Sequence, residues 1–209
     1  MRNSTSNLPP SGLYRDGLQR ARFLPAIALL EGGLEVVHVD GSADYRLRQL
    51  RQAPIYLPAA APDTPARLDA LYARLADSHA ENSRQIDING RRLTAQRRAG
   101  GVAWFSFASL CEEARSADDY AELAQDFHTV FVTGVPRLAA PQDDAARRFI
   151  SLVDEFYDRG VKLVVSAAAD PADLYAGERL AFEFARTASR LIEMQSEEYL
   201  ARAHLKSMD

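Results

Sequence analysis

The sequence predicts an α/β protein, and three observations carry the prediction. Val130-Phe131-Val132 and Val161 to Val165, apolar but for Lys162, are runs of the kind found in strands covered on both faces. Between them, Pro141 to Asp158 places Phe149, Leu152, Val153, Phe156 and Tyr157 at i, i+3, i+4, i+7 and i+8, one stripe of a helix. Strand, long helix, strand over residues 129–166 is a βαβ unit, which implies a parallel pair with a right-handed crossover.

The remaining elements follow in chain order. Seven polar residues lead into Pro9-Pro10-Ser11-Gly12, a turn. Leu18, Phe23, Leu24, Ile27 and Leu30 have mostly helical spacing, and Gly32-Gly33 stops the helix. Leu34 to Val39 reads as a strand. Ile55-Tyr56-Leu57 reads as a short one that Pro54 and Pro58 confine to a sheet edge. Ala59 to Pro65, rich in Ala and Pro, is the candidate linker. A helix begins at Asp63-Thr64-Pro65, with Leu68, Leu71, Tyr72 and Leu75 on one face. Ile86 to Arg91 contains Asn89-Gly90, the dipeptide that favours a tight hairpin. Val102 to Phe107 is the next strand, Asp118 to Phe127 a helix, and Ser189 to Leu205 the final helix. Pro10-Ser11-Gly12-Leu13-Tyr14 is echoed by Pro171-Ala172-Asp173-Leu174-Tyr175, three identities in five positions and too few to assign a repeat.

Composition excludes several classes. With 47% hydrophobic and 26% charged residues, the 209-residue chain holds enough apolar surface for one ordinary domain or two small ones. No apolar run approaches the roughly 18–20 residues of a membrane span, and the first seven residues contain no signal-type apolar region. The single Cys111 forms no internal disulfide and fits a reducing, cytoplasmic setting. The net charge is −4, divided as +4 over residues 1–105 and −8 over 106–209. Nucleic acid is therefore not the expected partner, since phosphate binding needs a basic face.

The chemistry-bearing residues are sparse. His38, His79, His128, His204 and Cys111 have no metal-ligand spacing, so no metal site is expected. Cys111 beside Glu112 and Glu113 suits a buried structural thiol better than a thiolate paired with His128. No Gly-x-Ser-x-Gly elbow occurs. Asp154-Glu155 resembles an acidic strand end, but the period of its neighbours puts both on the flank of a solvated helix. No Gly-x-x-x-x-Gly-Lys-[Ser/Thr] loop is present, and neither lysine, Lys162 nor Lys206, directly follows a glycine.

A resemblance adds to this reading. Thr5-Ser6-Asn7-Leu8-Pro9-Pro10, Leu13 to Arg20, and Phe23-Leu24-Pro25 resemble one stretch of the ZapE-type AAA+ ATPases, a family with bacterial cell-division and mitochondrial lactation-elevated members. Asp44-Tyr45-Arg46, Arg147-Arg148-Phe149-Ile150 with Leu152-Val153-Asp154-Glu155, Lys162-Leu163, Ser166-Ala167, Ser189-Arg190-Leu191 and Glu193 to Leu200 match in the same order. The resemblance implies the C-terminal portion of a P-loop NTPase core over 1–58, a helix-plus-hairpin insert over 59–108 and a C-terminal α/β region over 109–209. The family's P-loop and acidic strand precede its Thr-Ser-Asn, so the chain is expected to be about the C-terminal half of such a protein.

By that resemblance the complete protein uses ATP and magnesium, self-associates and remodels the division ring by acting on a tubulin-like protein. These residues alone are expected to bind no nucleotide tightly. Asn7 matches the strand-end polar residue that orients water on the γ-phosphate; a helix N-cap or turn role is its alternative. Arg20 or Arg22 matches the finger that reaches a neighbour's nucleotide, with Arg20 inside the matching stretch; a solvated helix face is the alternative. Arg190, with Arg186 at i, i+4, is the candidate nucleotide-sensing residue of a lid, or else pairs with Glu183 or Glu193. A non-enzymatic adaptor using the acidic second half is the competing function, and an in-frame P-loop in the upstream DNA would separate the two.

Overall fold

The computed structural model describes residues 24–27, 29, 42–76 and 84–205. The chain divides into two compact units, Met1–Ser42 and Ala43–Asp209. In the first, residues 24–27 and 29 are helical, inside the helix expected over Leu18 to Leu30. The expected strand Leu34 to Val39, with Asn7, Arg20 and Arg22, lies outside the described residues.

The second unit is built on one five-stranded sheet. Its strands are β1 (Tyr56–Pro58), β4 (Arg97–Ala99), β5 (Val102–Ser106), β6 (Thr129–Val135) and β7 (Lys162–Ala167), in the order β1-β7-β6-β5-β4. All pairs are parallel except β4 with β5. The expected βαβ unit is β6, α4 (Asp143–Asp158) and β7, with Phe131 opposite Val164. Pro141 belongs to a 3₁₀ turn, Ala140–Gln142, that leads into α4. β1 is an edge among the described strands, as its flanking prolines require.

Alternation along the strands sends side chains to two apolar layers. Leu57, Val102, Trp104, Phe131 and Val164 pack with α1 (Ser42–Arg51), α2 (Thr64–Leu75) and Leu200. There Leu68, Leu71, Tyr72 and Leu75 of α2 are buried, and the Trp104 and Phe131 rings stack with centroids 5.1 Å apart. Phe105, Val130, Val132, Leu163 and Val165 pack on the opposite face against α3 (Ala117–Asp126), α4 and α5 (Ala181–Glu193). Full burial of each large apolar side chain is worth about 1.5–3 kcal/mol, so these two layers dominate the stability.

The hairpin forms where Asn89-Gly90 placed it. β2 (Gln85–Ile88) and β3 (Arg91–Thr94) pair antiparallel, and the turn residues have φ of +49° and +74°, as a type I′ turn demands. The Ala/Pro stretch expected as a linker joins β1 to α2 inside this unit, and the Ala59 N–H donates to Ala167 O at 2.7 Å. The sheet takes β1 from residues 1–58, β4 and β5 from 59–108, and β6 and β7 from 109–209.

Two features differ from the sequence reading. The final helix is not continuous from Ser189 to Leu205: α5 starts at Ala181 and ends at Glu193, and α6 (Glu197–Ala201) follows. Ser196 breaks the run by capping α6, its Oγ accepting the Tyr199 N–H at 3.1 Å. Strand β4 was not expected, because Arg97 and Arg98 interrupt any apolar pattern. Gly100 and Gly101, at φ of +54° and +78°, turn it back onto β5.

Candidate functional site

A set of paired charged side chains lies along the seam between α4 and α5 and near the C-terminal end of the described residues. The amphipathic stripe of α4 buries Phe149, Leu152, Val153 and Phe156, and α5 buries Phe184, Thr187, Ala188 and Leu191. Those stripes fix the rotation of both helices and bring Asp154 opposite Arg186 and Arg190. Arg186 Nη2 donates to Asp154 Oδ2 at 2.5 Å, and Arg190 Nη1 donates to Asp154 Oδ1. Arg190 also reaches Asp158 at 3.5 Å and lies over the Tyr157 ring, 4.7 Å from its centroid.

This corrects two expectations. Arg186 and Arg190 pair with Asp154 across the seam rather than with Glu183 or Glu193. Asp154 is a half-buried anchor rather than a residue on a solvated flank. Glu193 instead accepts the Tyr157 hydroxyl at 2.7 Å, and that bond, helped by burial, raises the phenol above its ordinary range. No local spacing signals the Asp154 pairing, since its partners lie 32 and 36 residues away.

Beside the seam, Lys162 is buried at the start of β7. Its ammonium donates to three carbonyls, Gly160 O at 2.8 Å, Arg202 O at 2.7 Å and Tyr199 O at 3.2 Å. Burial, with Arg202 nearby, pushes its pKa down to about 8. Lys162 thus fastens the chain after α6 to the sheet. In the sequence this lysine stands out only as one that follows no glycine and as part of the matching pair Lys162-Leu163.

At the carboxyl ends of the strands the hydroxyls are tied within the protein. Thr133 Oγ1 accepts the Trp104 indole N–H at 3.2 Å, and Ser166 Oγ accepts the Gly134 N–H at 3.1 Å. Cys111 is fully buried, and burial raises its thiol far above the ordinary value, as expected for a structural cysteine. Among the described residues no three His, Cys, Asp or Glu side chains stand together as metal ligands. Of Asn7, Arg20, Arg22 and Arg190, only Arg190 lies among the described residues. What this unit offers chemically is a set of fixed charges in a rigid frame.

Comparison with known proteins points to one family. The sequence profile described as AFG1-like ATPase matches residues 3–203. Cell division protein ZapE of Escherichia coli strain K12 is 50% identical over 202 residues, covering 97% of this chain and 54% of the relative. Lactation elevated protein 1 homolog B of Danio rerio is 35% identical over 232 residues, covering 94% of this chain and 46% of the relative. The chain spans about half the length of the curated relatives it matches. No solved structure matches it.

Proposed function

Because the chain belongs to the AFG1-like ATPase family, we propose that it is one part of an ATP-hydrolysing protein that remodels the bacterial division ring. The observation that carries this reading is the 50% identity to cell division protein ZapE over 97% of these residues. In this reading the triphosphate and its magnesium ion are held by a glycine-rich loop and an acidic strand outside the 209 residues, which contain no Gly-x-x-x-x-Gly-Lys-[Ser/Thr] of their own. Asn7 supplies an amide that both donates and accepts, suited to orienting the attacking water. Arg20, with Arg22 as its neighbour, supplies a planar guanidinium to the charge that spreads over the transferring phosphoryl group of an adjoining subunit. Arg190 senses nucleotide only by exchanging Asp154 and Asp158 for phosphate oxygens, so its ion pairs set the threshold for that role. A tubulin-like ring protein is the partner and the cytoplasm the compartment.

The test joins this chain to the part of the Escherichia coli relative that it does not cover. Phosphate release is expected from the joined protein and not from the 209 residues alone. Arg20→Ala is expected to leave ATP affinity nearly intact and to cut turnover by about 10³–10⁵, the usual range for such a finger. Wild-type turnover in Arg20→Ala with loss in Arg22→Ala moves the role two residues along. Equal turnover in the joined protein and in the 209 residues alone would overturn the reading.

A further inference from the structure

The sheet of the second unit has one place where successive connections leave on opposite faces. After β1 the chain enters α2, which packs with Leu57, Trp104 and Phe131; after β7 it leads to α5, which packs with Phe105 and Val132. β1 and β7 are parallel neighbours, with Leu57 opposite Ser166 and Pro58 opposite Ala167. Their carboxyl ends therefore flank the switch point, the crevice in which open α/β sheets hold phosphate-bearing ligands.

Here the segment that leaves β1 is bonded to the segment that leaves β7. The Ala59 N–H donates across the crevice to Ala167 O at 2.7 Å, and the Tyr56 hydroxyl donates to Ala169 O at 2.7 Å. Within the loop, Thr64 N–H donates to Ala61 O at 3.1 Å and Thr64 Oγ1 to Pro58 O at 2.7 Å. Three alanines stand between Pro58 and Pro62, and Pro65 opens the helix. A phosphate cradle needs free, convergent N–H groups and glycines that let the backbone wrap. Here the Ala59 N–H is taken by β7 and those of Ala61 and Thr64 by carbonyls of the loop, the prolines have none, and no glycine is present.

The sequence that leaves β7 supplies an independent observation. Ser166, Pro171, Leu174, Tyr175, Gly177 and Ala181 repeat Ser6, Pro10, Leu13, Tyr14, Gly17 and Ala21 in order, with two one-residue shifts. In the second unit these residues have definite positions. Pro171 opens a 3₁₀ turn, Leu174 is fully buried, and the Tyr175 hydroxyl donates to Asp143 Oδ1 at 2.7 Å while accepting the Leu180 N–H at 3.2 Å. A Cβ on Gly177 would meet that hydroxyl at 2.4 Å. The second stretch leads into α5, which begins at Ala181. Where the first stretch has Asn7, the second has Ala167, whose methyl neither donates nor accepts.

We propose that residues 43–209 form a second, ligand-silent α/β unit of nucleotide-binding type, which repeats the Asn7 stretch after β7 and seals its own switch-point crevice. The unit then serves as a fixed scaffold, and any nucleotide the protein holds lies elsewhere.

Hydrogen exchange on the full chain, with and without saturating magnesium and ATP, tests this together with azido-ATP photolabelling. The Ala59 and Thr64 amides are expected to exchange at least about tenfold slower than unprotected ones, unchanged by nucleotide. Thr64→Val, which deletes the bond to Pro58 O, is expected to speed exchange over residues 58–63 without creating a labelled site. ATP-competed label on residues 55–64 or 166–171, or fast exchange at Ala59 in the unaltered chain, overturns the proposal. Label confined to other residues supports the sealed crevice and counts against the reading in which nucleotide is held wholly outside this chain. No label anywhere supports the sealed crevice and leaves nucleotide binding to residues outside this chain.

Discussion

Arg190 lies against Asp154 across the seam between α4 and α5, with its guanidinium carbon 4.7 Å from the centroid of the Tyr157 ring. Asp154 also holds Arg186 one helical turn earlier, so a single carboxylate fastens two points of α5 to α4. The arrangement is asymmetric: Arg190 is 20% exposed and Arg186 is 61% exposed. A guanidinium in water loses little when its partner goes; one against a ring and a helix loses more.

Asp154→Ala is therefore expected to cost about 1–3 kcal/mol, because it strands the less exposed Arg190. Arg186→Ala is expected to cost under about 1 kcal/mol, as exposed ion pairs do. Urea unfolding midpoints at constant m-value measure both. Equal losses from the two variants would show that the exposed arm, not Arg190, secures the seam.

A buried carboxylate, Asp119, joins the hairpin to α3. Asp119 Oδ2 accepts the Ser116 N–H at 2.9 Å and Arg91 Nη1 at 3.1 Å, while Oδ1 accepts Asn89 Nδ2 at 3.2 Å. Burial alone raises this carboxyl, but the Ser116 bond, with Asn89 and Arg91, outweighs it and holds the pKa below the ordinary value of 3.8. The folded state thus keeps the charge where the unfolded chain takes up a proton. Its contribution is complete above that ordinary value and is lost as pH falls through the lowered one. Asp119→Ala is expected to cost about 1–3 kcal/mol at neutral pH and to flatten the acid limb of the stability profile. A variant whose acid limb matches the parent's would remove Asp119 from that role.

How much of this was legible follows from which interactions are local. The α4 stripe, the Asn89-Gly90 turn and the apolar runs of β6 and β7 are written in neighbouring residues, and each formed where the pattern put it. The break between α5 and α6 also had a local signal, Ser196 followed by Glu197 and Glu198, which an apolar period cannot register. β4 carries arginines because its place is set by Gly100-Gly101 and by pairing with β5. Arg97 then covers Tyr72, 4.1 Å from the ring centroid, a contact across 25 residues that no pattern encodes. The Asp154 seam and the Lys162 clasp were invisible for the same reason. Asn7 and Arg20 are singled out by resemblance alone and lie outside the described residues.

Two glycines with similar backbones are expected to respond differently to alanine. Gly90, at φ +74°, has open space where a Cβ would stand, so Gly90→Ala bears only the left-handed strain, about 1 kcal/mol. Gly160, at φ +69°, would place its Cβ 2.4 Å from Ala203 O, so backbone must move as well. Gly160→Ala is expected to lower stability by at least about 1 kcal/mol more than Gly90→Ala. Thermal unfolding of the pair checks the order, and equal shifts would show that the segment after α6 yields freely.

That segment is held by Lys162, which makes alkaline pH the sharpest probe of the clasp. Burial lowers the Lys162 pKa from 10.5 to about 8, so between those values the folded protein releases a proton that the unfolded chain retains. The unfolded state binding more protons means that this residue's contribution to stability rises with pH over that window. At about 1.4 kcal/mol per unit of displacement, the whole effect is at most about 3 kcal/mol. Cys111, Tyr56, Tyr120 and Tyr199 act oppositely at higher pH. Burial raises each of them, so the unfolded chain ionises first and stability falls above pH 9 to 10. The total profile therefore mixes two signs, but the difference between the parent and Lys162→Met isolates the lysine, since the other groups remain. That difference is expected to climb in the parent's favour from about pH 8 and to level off near pH 10.5. At neutral pH, Lys162→Met leaves Gly160 O and Arg202 O without the ammonium, and exchange of the Leu205 N–H, which donates to Arg159 O, is expected to quicken. A difference curve flat from pH 7 to 11 would mean that Lys162 keeps its ordinary proton affinity, its three carbonyls offsetting the burial.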